Sequence, residues 1–278
     1  MQYSMIRKIF VYTLITAHLA MFACTENPSS PNPDEAPELP PISSMSVDFS
    51  LFDNDNAALP KSADAFTKQN FANAAVRVLL ANTATVVVLA IPVAVLAKAF
   101  TVEPELKEDG YWHWTYTETA NGQNWQADLA GTLDLQNQES IWEMRITNSN
   151  ANPALENFLW YEGRAKFDNS SGVWHIYDPQ SPDTQVELLQ IDWSHPSEEQ
   201  ATLEFTNKKP DVDANGDKLT YNVDGDLRSV SYFDNSASAT TLIEWNASTG
   251  EGSITAPDYK GGEKSCWDAS QDDVDCGN

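Results

Sequence analysis

The chain has 278 residues, 41% hydrophobic and 10% aromatic, enough to bury one large all-β core or two small ones. Its 41 acids outweigh 16 bases, for a formal net charge of -25. A surface so acidic repels phosphate backbones and anionic headgroups, and no basic patch offsets it, so nucleic acid is not an expected partner.

Arg7 and Lys8 form a short positive region, and Ile9 to Ala23 follow as an apolar stretch of signal-peptide length, short for a bilayer span. The stretch ends in Met21-Phe22-Ala23-Cys24, and Thr25 to Ser44 is rich in Pro, Ser, Asn and acids, as an extended tether would be. These features resemble the signal peptide and lipobox of bacterial lipoproteins, with Phe22 bulkier than that pattern prefers. The resemblance covers about the first tenth of the chain. It implies cleavage before Cys24, diacylglycerol on the Cys24 sulfur and an acyl chain on the new amine, which together anchor stably to a membrane. Cleavage leaves 14 bases against 41 acids. Thr25 stands where an Asp favours inner-membrane retention, so the outer membrane is the expected location. The plainer alternatives are an ordinary cleaved signal or an uncleaved anchor.

With Cys24 acylated, Cys266 and Cys276 remain as a pair, and export places them in an oxidising space. A disulfide between them is expected, stabilising by roughly 2–3 kcal/mol in the chain-entropy picture. Their nine intervening residues fit neither a CxxC redox motif nor a zinc knuckle.

Lys61 to Phe100 reads as helix, with Pro60 before it and Ser62 as its cap. Ala63, Phe66, Asn70, Phe71, Ala74, Ala75 and Val78 recur at helical spacing. Val78 to Ala97 holds 20 residues without a charge, between Arg77 and Lys98, which is the length of a transmembrane span. A helix buried inside the globular unit is the preferred reading. Asn82, Thr83 and Thr85 dilute the apolar character, Pro92 would bend a continuous helix, and an acylated protein has little need of a second anchor. Val86-Val87-Val88 also suits a strand. Glu103 to Asp109 then forms an acidic linker.

From Gly110 the period changes to two. Trp142, Met144 and Ile146 alternate with Glu143 and Arg145; Leu189, Ile191 and Trp193 alternate with Gln190 and Asp192. Ser229 to Phe233 and Thr241 to Asn246 behave alike, and turn pairs such as Asn121-Gly122, Asn215-Gly216 and Asp224-Gly225 fall between. The spacing predicts roughly ten strands in an antiparallel meander. The fold class expected is therefore mainly β: a curved sheet or partly closed barrel packed on an apolar helix. Its organisation is signal 1–23, tether 24–44, helical segment 45–109 and β domain 110–278, with 45–278 as one unit. That architecture is similar to periplasmic lipoprotein carriers and lipocalin-like barrels, which hold lipid in this way; the likeness rests on no motif. All nine tryptophans lie between Trp112 and Trp267. They either fill and rim a wide sheet or present stacking surfaces for sugars and acyl chains.

Asp211-Val212-Asp213-Ala214-Asn215-Gly216-Asp217 has oxygen ligands at alternate positions and a glycine for the sharp turn, as a calcium loop requires. Asp211, Asp213, Asn215 and Asp217 would be the ligands, and calcium the one cofactor suggested. Against this, Asn222 replaces the bidentate Glu, the flanks read as strands, and the same composition makes a hairpin turn. Beyond the signal there are three histidines, His113, His175 and His195, and neither they nor any serine or glycine motif forms a recognised catalytic signature. With 41 acids, carboxylate pairs of the glycosidase kind carry no information. The function expected is a non-enzymatic, membrane-tethered binder of a lipid or other apolar ligand. The alternatives are a polysaccharide hydrolase with Trp platforms, or an assembly lipoprotein that docks an envelope protein.

Overall fold

A computed structural model describes residues 31–32, 34–52, 67–120 and 122–277, with backbone alone for 81–88 and Ala120. The expected signal, Cys24 and Lys61 to Phe66 of the expected helix lie outside the described residues. One long helix, α1 (Gln69–Ala99), precedes the strands. The first strands are β1 (Glu105–Leu106), β2 (Trp112–Ala120), β3 (Gln123–Asp134), β4 (Glu139–Asn148) and β5 (Leu155–Lys166). Then come β6 (Ser171–Tyr177), β7 (Glu187–Ser197), β8 (Gln200–Asn207), β9 (Lys218–Asp224) and β10 (Leu227–Asp234). Last are β11 (Ala239–Asn246), β12 (Gly252–Thr255), β13 (Ser265–Trp267) and β14 (Asp273–Val274).

Every strand pairs antiparallel with its chain neighbours, so the 14-stranded sheet is a single open meander. The count exceeds the sequence reading because β1, β13 and β14 are two or three residues long, too short for an alternation to register. The alternation holds in β4 and breaks in β5, where Phe158 to Tyr161 are buried in succession beside a register shift. In β4 Ser140, Trp142, Met144, Ile146 and Asn148 are buried, and the residues between them face outward. Gly225, at φ 58°, lets β9 turn into β10 within two residues.

The inner face is built from large and small residues in register. Trp112 lies opposite Gly131, Gly131 opposite Trp142, Trp142 opposite Gly163, and Gly163 opposite Trp174. Gly172 with Trp193, and Gly252 between Trp245 and Trp267, repeat the arrangement. A Cβ on Gly131 would stand 2.5 Å from the Trp142 ring, and one on Gly172 2.6 Å from the Trp193 ring. Each indole thus occupies the space a neighbouring side chain would need. This alternation lets the inner face shorten and the sheet curl.

Two other segments fill that curl. The expected tether ends earlier than its composition suggests: Pro37, Pro40, Ser44 and Met45 are buried. The Trp174 indole donates to Ser44 Oγ at 3.0 Å, and the Asn169 amide donates to the Leu39 carbonyl at 3.3 Å. Further on, Phe49 meets Tyr221 edge-on at 5.7 Å, and Phe52 meets Trp245 at 5.1 Å and Phe71 at 5.5 Å. Residues 36–52 therefore cross the inner face from β6 to β11. Their proline-rich sequence has no periodicity, so nothing in it announces burial.

α1 packs against β2 and β3 at the start of the meander and against β12, β13 and β14 at its end. The sheet curls until both ends reach the same helix. Val86-Val87-Val88 is helical, and Pro92 sits inside the helix without ending it. Phe71, Ala74, Ala75, Val78, Leu89, Val95, Leu96 and Ala99 are buried. Among the described residues no helix is long and apolar enough to cross a membrane. The first turn is capped from afar: the Asn70 amide donates to Asp273 Oδ1 of β14 at 2.8 Å, a carboxylate at the positive end of the helix dipole. The Asn70 side chain, 2% exposed, donates to the Cys266 carbonyl and accepts from Tyr259 and Lys260. Cys266 and Cys276 are bonded, with Cα atoms 5.2 Å apart, so the disulfide holds the strand that caps the helix.

Candidate functional site

The period of β10 places Val230, Tyr232 and Asp234 on the inner face, and that of β11 places Ala239, Thr241 and Ile243 beside them. β9 adds Leu219, opposite Tyr232. Across from these strands stand Arg77, Val78 and Leu80 of α1, with Pro257 and Asp258 of the turn after β12. Between the two walls lies a cavity of about 580 Å³, within the usual range for small-molecule sites. Its exposure runs in one direction. Val78, Val230 and Ile243 at the floor are 1%, 3% and 2% exposed, whereas Tyr232, Leu80 and Asp258 at the mouth are open to solvent.

The polar groups at the mouth are fixed. Arg77 Nη2 donates to both Asp258 oxygens at 2.9 Å, and Nη1 donates to the Asn73 carbonyl and Oδ1 at 3.1 Å. The guanidinium is therefore already matched, and it holds the Asp258 carboxyl below its ordinary range. Asp234 Oδ1 accepts the Ala237 amide at 2.8 Å and the Ser236 hydroxyl at 2.7 Å. The Ala237 amide, then the Ser236 hydroxyl, lower the Asp234 carboxyl, so it is ionised at neutral pH. Tyr232 donates its hydroxyl to Asp217 Oδ2, which pins the ring at the rim.

Asp217 belongs to the loop that the sequence offered to calcium. Its other oxygen accepts the Asn235 amide at 2.9 Å. Asn215 donates its side-chain amide to the Lys209 carbonyl at 2.7 Å, so it is turned toward the backbone. Asp211 and Asp213 are exposed. The four candidate ligands are not brought together, and among the described residues no three His, Cys, Asp or Glu are placed to hold a metal. The hairpin reading describes the loop: its oxygens brace β9 and β10 instead of facing a common centre.

The histidines lie apart. His113 bridges Asp128 at 2.7 Å and Asp109 at 3.0 Å, and His175 pairs with Glu187 at 2.7 Å, both alternating with inward tryptophans and so facing outward. His195 lies 5.6 Å from the Trp193 ring. Every tryptophan except Trp112 is buried, none more than 6% exposed. These eight fill the interior, and Trp112 is half-buried.

The molecule is thus an open antiparallel meander whose two ends both reach α1, with a cavity beside β9, β10 and β11. No protein-family model matches the chain, and no curated protein or solved structure matches it either.

Proposed function

We propose that this protein is a lipid-anchored component of the bacterial envelope that binds an apolar ligand without transforming it. The cavity beside β9, β10 and β11 carries the binding part of the reading. It is large enough for an extended hydrocarbon chain, floored by buried aliphatic side chains and open at one end. Among the described residues at its mouth no nucleophile is paired with a base, which supports burial rather than reaction. The lipobox-like Met21-Phe22-Ala23-Cys24 supports the anchor. From Cys24 to Ala36, where the chain meets the sheet, there are 12 residues, so the tether reaches about 40 Å at most and keeps the cavity close to its membrane.

Filling the cavity tests the binding. Ala239→Trp places an indole at the half-buried wall of β11. The intact protein should enhance the fluorescence of an apolar naphthylamine probe saturably, and the variant should weaken its binding by about tenfold or more. Equal binding by the two proteins would remove the cavity from the account.

A further inference from the structure

The geometry points to a ligand with a cationic head: a single-chain amphiphile whose amine or quaternary ammonium sits between Tyr232 and Asp234 while its chain lies on Val230, Ile243 and Val78. This rests on the cavity being a binding site and adds the chemistry of what enters it.

Three observations carry it. The first is the change from apolar to polar along β10, where the inward positions run from buried Val230 to exposed Tyr232 and half-buried Asp234. A molecule lying in that groove has its polar end at Asp234. The second is the balance of charge at the mouth. Arg77 is consumed by Asp258 and Asn73, whereas Asp234 Oδ1 takes two neutral donors and Oδ2 has no hydrogen-bond partner among the described residues. The available charge is a carboxylate. The third is the aromatic face beside it. Tyr232 is 40% exposed, and its bond to Asp217 fixes the ring at the rim. A ring next to a carboxylate is the arrangement that attracts ammonium groups. The field of the whole chain, at a net charge of -25, acts in the same sense by drawing cations and repelling anions.

Calorimetry with three amphiphiles of equal chain length, each below its micellar concentration, tests the proposal: dodecyltrimethylammonium, dodecanol and dodecyl sulfate. The ammonium should bind about tenfold more tightly than the alcohol, and the sulfate most weakly. Asp234→Asn keeps an acceptor for the Ala237 amide but removes the charge, and should bring the ratio between ammonium and alcohol toward one. Raising the salt concentration on the unaltered protein should shrink the same ratio, which keeps the test independent of the variant's folding. Equal binding of alcohol and ammonium, or tighter binding of sulfate, would overturn the cationic head while leaving the cavity as a site. Binding of none of the three would overturn both.

Discussion

At the scale of residues, the inner face depends on glycines that have no conformational role. Gly131, Gly163 and Gly172 lie within strands, and each faces an indole that leaves no space for a Cβ. Gly131→Ala should cost about 1–3 kcal/mol of stability, read as a lower urea midpoint, because the Trp142 ring has no room to retreat. An unchanged midpoint would mean that the ring is not held there. The pairing was partly present in the sequence, since Gly131 precedes Trp142 by the same interval as Gly163 precedes Trp174. Nothing in a single chain says which residues sit opposite one another until the register is known, so the interval alone had no meaning. His195 carries a second consequence. Burial holds its ring below the ordinary value of 6.5, so the folded state favours the neutral form. Its contribution to stability is complete above about pH 6.5 and is lost as pH falls through the lower folded value. Urea unfolding at pH about 7.5 and about 5.5 should show a fall in stability that His195→Gln reduces. The same fall in both proteins would assign the pH dependence elsewhere.

At the scale of elements, the long strands were readable because one face is buried and the other wet, which writes a period of two into the sequence. The helix was readable from its uncharged length, and its partner was not. Asp273, which caps its first turn, is 203 residues from Asn70, beyond the reach of any local pattern. Residues 36–44 look like tether in the sequence because prolines and polar residues usually mark solvated chain. Their burial arises from tertiary contact with Trp174 and Asn169 instead. The disulfide, expected by counting cysteines, also does something the count could not foretell, because it ties β14 and its capping carboxylate to β13. Cys276→Ser should lower stability by about 2–3 kcal/mol and speed amide exchange in the first turn of α1 before the middle of the sheet. Exchange that rises evenly over the whole chain would show that the disulfide acts on the unfolded state alone.

At the scale of the molecule, an open sheet of this width must bury its inner face on something. Here the burial is shared among the tryptophans, the crossing segment 36–52 and α1, and it is incomplete beside β9, β10 and β11. The fold class could be inferred from composition and period, whereas the cavity could not. It arises where two walls fail to meet, and each wall taken alone reads as ordinary core. The Asp211 to Asp217 loop was ambiguous for a related reason, because alternate oxygens suit a hairpin as well as an ion, and only side-chain direction separates the two. The most direct measurement of the whole account is native mass spectrometry of the protein extracted from its own membrane, beside the same protein carrying Ala239→Trp. We predict a chain beginning at an acylated Cys24, with one disulfide, that retains a small apolar molecule which the variant lacks. A chain with its first 23 residues attached would contradict the anchor. An empty protein, or the same molecule retained by both, would contradict the site.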